Sequence, residues 1–75
     1  MIFEEIGAYI AKEIHVKTQQ VQAVIKLLDD GNTVPFIARY RKEATGELED
    51  EQIRVIEDRL TYLRNLIKRQ EEVLH

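Results

Sequence analysis

The last third of the chain carries a long run of helical apolar spacing, which constrains the fold more than any other feature. From about residue 49 onward, apolar residues recur at steps of three and four, the spacing of one helix face. The main apolar line consists of Ile53, Ile56, Leu60, Leu63, Ile67 and Leu74. A second line beside it consists of Val55, Tyr62, Leu66 and Val73. Because a two-stranded coiled coil needs only a narrow seam, this wide arc predicts packing against more than one neighbour.

This last helix is also long for a chain of 75 residues. About 25 residues at 1.5 Å each extend roughly 37 Å, which exceeds the expected diameter of so small a domain. Glu49, Asp50 and Glu51 crowd its first turn, where they complement the helix dipole. Its final residues include no Gly or Pro that would end a helix. We therefore expect residues 1–75 to form one domain that is a fragment of a longer protein.

Two shorter helices are predicted in the first part of the chain. The apolar face of the first consists of Ile2, Ile6, Tyr9, Ile10 and Ile14. The apolar face of the second consists of Val21, Val24, Ile25 and Leu28. Thr18 is expected to cap the second helix and Gly31 to end it in a left-handed conformation. A short turn around Val16 and Lys17 makes the two helices an antiparallel pair, and Gly7 indicates a close helix–helix approach.

The residues NTVPFIARYRK predict a short third helix. Thr33 serves as its N-cap, and Pro35 fits its first turn, where a missing N–H is harmless. Its apolar face consists of Phe36, Ile37 and Tyr40. The helix is expected to end around Lys42, because ATGELED has the composition of a loop in which Gly46 is the turn residue. The predicted fold is all-α, a small orthogonal or antiparallel domain of about four helices with a long C-terminal helix.

Composition limits the compartment and the partners. Without cysteine there is no disulfide framework and no thiolate metal ligand. No apolar run is long enough to cross a bilayer and no signal peptide pattern follows Met1, so we expect a soluble, cytoplasmic chain without membrane contact. The net charge of −3 argues against strong autonomous binding to nucleic acid, which normally requires an excess of Lys and Arg. A local basic patch remains compatible with this charge.

The titratable residues form no recognisable catalytic or metal-binding pattern. His15 lies at the end of the first helix and His75 at a terminal turn expected to fray, and neither has a partner at metal-binding spacing. The carboxylates of residues 49–51 lie together at a helix start, whereas acid–base catalysis needs two placed across a cleft. Asp29 and Asp30 are expected at the exposed end of the second helix, against its dipole. The sequence therefore predicts no enzyme activity, no metal site and no cofactor.

Positive charge is concentrated at Arg39, Arg41 and Lys42, with Tyr40 between them. A basic cluster with an aromatic neighbour can hold phosphate while the ring stacks on a base. Alternatively, Tyr40 belongs to the inner face and the basic residues solvate a helix end, where cations are favoured. The sequence is compatible with two roles for this cluster, contact with nucleic acid and ion pairing within or between domains.

Arg59 is a charged residue within the apolar arc of the last helix. Helical spacing places it between the two apolar lines, beside Ile56 and Leu60. A guanidinium there must extend its stem across apolar surface to water or meet a carboxylate. We expect a buried or half-buried ion pair, with Glu43 as the first candidate partner because its loop must return over this helix. A ligand contact by Arg59 is the alternative.

The stretch GNTVPFIARYRKEATG, at residues 31–46, resembles the amino-terminal region of the bacterial Tex family of transcription accessory proteins nearly residue by residue. The resemblance continues through ELEDEQIRVIEDRLTYLRNL and covers essentially the whole chain. Earlier segments that share it are I-x-x-E-I at residues 10–14 and V-x-A-V-I-x-L-L-D-x-G at residues 21–31.

The resemblance implies a parent protein several times longer, with ribonuclease-H-like, helix-hairpin-helix and S1 domains. It implies binding of nucleic acid, RNA more than DNA, mainly through the S1 domain. It also implies that the amino-terminal region has a helix-turn-helix-like portion and packs into a larger helical body. The expected function is a helical scaffold that docks the other domains of the parent. The alternative is a helix-turn-helix-like module in which Arg39, Arg41 and Lys42 contact the RNA or DNA backbone, and the last helix is expected to mediate self-association of the isolated fragment.

Overall fold

A computed structural model of the chain describes the backbone of residues 3–73 and the side chains of residues 5–68. Within that range the chain forms five helices and no strand. They are α1 (Phe3–Ile14), α2 (Thr18–Asp29), α3 (Val34–Tyr40), α4 (Lys42–Thr45) and α5 (Asp50–Val73). The predicted all-α fold with a long last helix is therefore confirmed. The predictions made for Ile2, Leu74, His75 and the side chain of Val73 lie outside the described residues.

The turn between α1 and α2 differs in detail from the prediction. His15 follows the last residue of α1 with a left-handed backbone, at φ 59°. Thr18 is already the first residue of α2, and Lys17 occupies the N-cap position, so the prediction of Thr18 as the cap is wrong. The side chain of Gln20 provides the capping contact instead, because its Oε1 accepts a hydrogen bond of 3.0 Å from the backbone N–H of Lys17.

The close approach predicted from Gly7 is confirmed. A Cβ at this position would lie 2.9 Å from Cγ of Gln22 on α2, which is closer than real side chains come. The absence of a side chain therefore lets α1 and α2 pack tightly against each other.

The junction between α2 and α3 forms as predicted. Gly31 ends α2 with a left-handed backbone at φ 97°. The hydroxyl of Thr33 accepts a hydrogen bond of 3.3 Å from the N–H of Phe36, and Pro35 lies in the first turn of α3. These local signals are sufficient to place the junction, because each satisfies the free backbone groups of a helix end.

The segment predicted as a loop after α3 begins with a further short helix. α3 ends at Tyr40 rather than Lys42, and α4 follows it. The side chain of Thr45 is fully buried, and Nε2 of Gln20 donates to the carbonyls of Thr45 and Gly46 at 3.0 and 3.2 Å. These contacts with α2 stabilise a helical turn that composition alone does not favour. Gly46 then ends α4 at φ 68°, as predicted for the turn residue.

The core lies where α5 crosses the other helices. α5 contacts α1, α2 and α3, which confirms the prediction of more than one neighbour. Its main apolar line is buried from residue 53 to residue 63 against apolar residues of these three helices. The buried apolar residues are Ile6, Ile10, Ala11, Val21, Val24, Ile25, Val34, Ile37, Leu48, Ile53, Ile56, Leu60 and Leu63. None of the helices described between residues 3 and 73 combines the length and apolar character needed to span a membrane.

Candidate nucleic-acid interface and apolar stripe

The short helix α3 has one buried face and one exposed face. Val34 and Ile37 are buried in the core, whereas Phe36 and Tyr40 are 37% and 54% exposed. The interpretation of Tyr40 as part of the inner face is therefore wrong. A helix of seven residues presents only one narrow line to α5, and Val34 with Ile37 fills it. Phe36 and Tyr40, four residues apart, share the neighbouring exposed face.

The exposed face of α3 brings two aromatic rings and two guanidinium groups together. The ring centroids of Phe36 and Tyr40 are 5.1 Å apart, with planes inclined at 45°. Cζ of Arg39 lies 5.5 Å from the Tyr40 centroid, and Cζ of Arg41 lies 5.2 Å from the Phe36 centroid. Both distances are within the range of cation–π attraction. We call Phe36, Arg39, Tyr40 and Arg41 the α3 aromatic–arginine cluster.

This cluster contains three of the residues that the sequence singled out and one that it did not. Arg39, Tyr40 and Arg41 lie together as expected from their adjacency, and Lys42 is the exposed first residue of α4. The sequence pattern places Phe36 on the apolar face of α3, although its spacing of four residues from Tyr40 is the signal that could have placed both rings on one surface. Whether the basic residues contact nucleic acid stays a prediction.

Carboxylates border the cluster on one side. An open groove runs beside Arg39 and Lys42, between the start of α3 and the start of α5. The other residues lining it are Pro35, Ala38, Glu47, Leu48, Glu49 and Asp50. The positive potential of Arg39 and Lys42 is therefore partly offset on the groove side, which leaves the ring side as the more favourable approach for an anion.

Arg59 forms the ion pair expected of it, but with a different partner. Its Nε donates to Oε1 of Glu13 on α1 at 2.9 Å, and the two side chains are 31% and 38% exposed. This hydrogen bond raises the pKa of Arg59 against the opposing effect of desolvation. The prediction of Glu43 as the partner is wrong, because Glu43 lies on α4, which packs against α2 and α3, whereas α1 packs against α5.

Arg64 of α5 forms a second ion pair between helices, which the sequence does not predict. Nη1 and Nη2 of Arg64 donate to Oδ1 and Oδ2 of Asp29 at 2.8 and 2.9 Å, a bidentate arrangement. The hydrogen bond from Arg64 holds the pKa of Asp29 below its usual value. The sequence predicts that the charge of Asp29 is unfavourable at the end of α2, and Arg64 of α5 supplies the compensating charge. The sequence offers no local signal for this pair, since its members are 35 residues apart.

The second apolar line of α5 is exposed. Val55, Tyr62 and Leu66 are 37%, 55% and 41% exposed, and we call them the α5 apolar stripe. Steps of seven and four residues place them on one side of the helix. Arg59 lies between Val55 and Tyr62, and its Cζ is 5.0 Å from the centroid of the Tyr62 ring. The wide apolar arc predicted for the last helix therefore consists of a main line that is buried and a second line that is exposed.

Among the described residues, no group of three or more His, Asp or Glu side chains converges in a way that could hold a metal ion. His15 is exposed in the turn after α1. The absence of catalytic activity and of a metal site stays a prediction.

The fold and these surfaces define a class of protein, a small all-helical domain that exposes an aromatic and basic cluster on α3 and an apolar stripe on α5. A family model described as the Tex-like protein N-terminal domain matches residues 4–75. The chain belongs to this family, as its resemblance in sequence implied.

Individual relatives agree with the family model. The chain is 58% identical to Protein YhgF of Escherichia coli over 74 residues, which are 99% of this chain and 10% of that protein. It is 57% identical to the Transcriptional accessory protein Tex of Neisseria gonorrhoeae over 69 residues, which are 92% of this chain and 9% of that protein. The human S1 RNA-binding domain-containing protein 1 is 41% identical over 46 residues, which are 61% of this chain and 5% of that protein. The chain therefore spans about a tenth of the length of the curated bacterial relatives it matches.

Proposed function

We propose that this domain is a helical docking module of a larger transcription accessory protein. Its α5 apolar stripe would pack against the other domains of that protein. The observation that carries the proposal is the exposure of Val55, Tyr62 and Leu66 on one side of one helix. Isolated exposed apolar residues are ordinary on protein surfaces, but three of them aligned along a helix are typical of an interaction surface.

Length supports the same role. The bacterial relatives are about ten times as long as this chain, so a parent of that size has further domains for α5 to contact. The name of one relative, Transcriptional accessory protein Tex, supports a role of the parent in transcription. Burying a leucine or tyrosine side chain stabilises an interface by about 1.5–3 kcal/mol, less the part that is already buried here.

The docking role is tested by two substitutions at adjacent exposed positions of α5. Leu66→Glu places a charge in the stripe, and Asn65→Glu places the same charge beside it. Both variants are made in the 75-residue chain and in a chimera in which this chain replaces the matching region of the E. coli relative. Thermal unfolding and hydrogen exchange of α5 are measured in each.

At a concentration too low for self-association, the two substitutions are expected to have similar effects in the 75-residue chain, because both positions are exposed. In the chimera, Leu66→Glu should lower the unfolding temperature and speed hydrogen exchange along α5, since a charge would be buried without a partner. Asn65→Glu should leave the unfolding temperature and the hydrogen exchange of α5 close to those of the chimera without either substitution. Equal behaviour of the two variants in the chimera would rule out docking through the stripe.

Direct contact with nucleic acid is the second candidate function. Arg39, Arg41 and Lys42 are all exposed, which favours their use as contacts to an RNA or DNA backbone by a helix-turn-helix-like portion. RNA is favoured over DNA by the name of the human relative, an S1 RNA-binding domain-containing protein. A loss of salt-dependent binding on combined charge reversal at these three positions in the chimera tests this candidate.

A further inference from the structure

We propose that the α3 aromatic–arginine cluster binds single-stranded nucleic acid. An unpaired base stacks on the exposed rings of Tyr40 and Phe36, while Arg39 and Arg41 contact the flanking phosphates. This inference is independent of docking through α5. Its phosphate contacts rest on the second candidate function, direct contact with nucleic acid. The inference adds base stacking as the mode of binding and a single strand as the ligand.

The exposed rings are the first step of the argument. Tyr40 leaves more than half of its surface in water, although the buried Ile37 lies only three residues before it on the same helix. The ring centroids of Tyr40 and Phe36 lie 5.1 Å apart with planes inclined at 45°, so the two rings form one exposed aromatic patch on α3. Every base has a π-face, and stacking on an aromatic side chain contributes about 1–3 kcal/mol per base without regard to sequence.

The guanidinium groups are the second step. Arg39 and Arg41 lie over the two rings at 5.5 and 5.2 Å, where their planar guanidinium groups extend the stacking surface. Nη1 of Arg41 donates to the carbonyl oxygen of Tyr40 at 3.2 Å, and a guanidinium group has further N–H groups that can bind an anion. The ion pairs within the described part of the chain are formed by Arg54, Arg59 and Arg64. Since these pairs involve neither arginine of the cluster, its charges have no carboxylate partner among the side chains of residues 5–68 and can approach a phosphate.

The surroundings of α3 favour a single strand over a duplex. A helix that reads a duplex groove must project from the protein surface, whereas α3 is seven residues long and buries Val34 and Ile37. The carboxylates of Glu47, Glu49 and Asp50 line the adjacent groove and would repel the second strand of a duplex. A short single strand needs only the ring side of the cluster and avoids these carboxylates.

The first measurement is a titration of the 75-residue chain with a single-stranded uridine decamer, a thymidine decamer and a duplex RNA of the same length. Binding is followed by fluorescence anisotropy and by NMR chemical shifts at two salt concentrations. We expect both single strands to bind more tightly than the duplex, with shift changes centred on α3. Two phosphate contacts predict a slope of log K against log salt of about −1.4, at about −0.7 per contact on a single strand.

Two tyrosines offer a matched pair of substitutions. Tyr40 and Tyr62 are 54% and 55% exposed, and each ring has a guanidinium carbon within 5.5 Å. Tyr40→Ala should weaken single-strand binding at least about fivefold, as expected from the loss of one stacked base. Tyr62→Ala should leave the affinity unchanged, and Tyr40→Phe should retain it because the ring remains. If Tyr40→Ala unfolds the chain, Arg39→Gln serves in its place and should reduce the salt slope by about 0.7.

Each contrary result has a distinct meaning. No binding of either single strand, or equal losses in Tyr40→Ala and Tyr62→Ala, overturns the inference. The inference is also overturned if duplex and single strand bind equally well and if Arg39→Gln weakens this binding whereas Tyr40→Ala does not. That result would support contact with the nucleic-acid backbone alone. Shift changes at α3 that arise only on addition of the remaining domains of the E. coli relative overturn it in favour of a protein partner. None of these results alters the test of docking through Leu66.

Discussion

Gly46 and Gly31 both end a helix in a left-handed conformation, but their surroundings differ. A Cβ at Gly31 would meet no atom within 4 Å, whereas a Cβ at Gly46 would lie 2.5 Å from Nε2 of Gln20. That same nitrogen donates to the carbonyls of Thr45 and Gly46. Gly46 therefore serves two purposes, since it relieves backbone strain and leaves room for the side chain that joins α2 to α4.

Alanine substitutions at these two glycines separate the two purposes. Gly31→Ala should lower the free energy of unfolding by about 1–2 kcal/mol, the cost of a left-handed conformation for a residue with a Cβ. Gly46→Ala should cost about 1 kcal/mol more, because Gln20 must move and lose hydrogen bonds worth about 0.5–1.5 kcal/mol each. Urea denaturation followed by circular dichroism measures both. Equal costs at the two positions would contradict the role assigned to Gln20.

The ion pair between Asp29 and Arg64 operates at the scale of elements, because it joins the end of α2 to the middle of α5. The pKa of Asp29 is lowered in the folded state from an ordinary value of 3.8, chiefly by its hydrogen bond with Arg64. A lowered carboxyl pKa means that the pair stabilises the fold above pH 3.8 and that this stabilisation is lost as the pH falls through the folded-state pKa.

Asp29→Asn should therefore lower the free energy of unfolding at pH 7 and change it little at pH 2. Both side chains are close to half exposed, so solvent screening limits the effect at pH 7 to less than about 1 kcal/mol. Asp30→Asn, at the neighbouring exposed position, is the control and removes the same charge without removing this pair. Urea denaturation at the two pH values measures the difference. A difference between Asp29→Asn and Asp30→Asn that persists unchanged at pH 2 would contradict the pairing.

The boundaries of the elements show what local sequence can and cannot determine. Gly31, Thr33 and Pro35 place the junction of α2 and α3 correctly, because helix ends are satisfied by nearby residues. The helical turn of α4 escapes prediction, because it depends on the contact of Gln20 with Thr45, 25 residues away. Composition could not reveal a contact over that distance.

In the candidate sites too, features set by neighbouring residues could be predicted, whereas features set by packing between helices could not. The basic residues and Tyr40 of α3 are adjacent in sequence, so their clustering could be predicted. The exposure of Tyr40 could not be predicted, because it depends on which residues of α3 face α5. The partner of Arg59 likewise depends on how α1 lies along α5, and this packing selects Glu13 instead of Glu43.

At the scale of the whole molecule, the principal extents are 42 × 23 × 16 Å, and α5 with its 24 residues would extend about 36 Å at 1.5 Å per residue. The helices α1, α2 and α3 pack against the side of α5 that carries Ile53, Ile56, Leu60 and Leu63. The second apolar line lies on another side of α5, which these helices leave exposed at Val55, Tyr62 and Leu66. An apolar face of this kind favours contact with another surface.

We expect the 75-residue chain on its own to self-associate weakly through this stripe at high concentration. Two copies can pair their α5 helices and bury both stripes, and the association should be a monomer–dimer equilibrium because a two-fold interface closes on itself. Sedimentation equilibrium over a range of concentrations measures it. Leu66→Glu should shift the chain to monomer, since each copy would bury an unpaired charge in the contact. Asn65→Glu adds the same charge outside the stripe and should leave the dimer intact. A chain that stays monomeric at millimolar concentration would show that the stripe needs a partner of different shape, and a dimer that resists Leu66→Glu would place the contact elsewhere on the molecule.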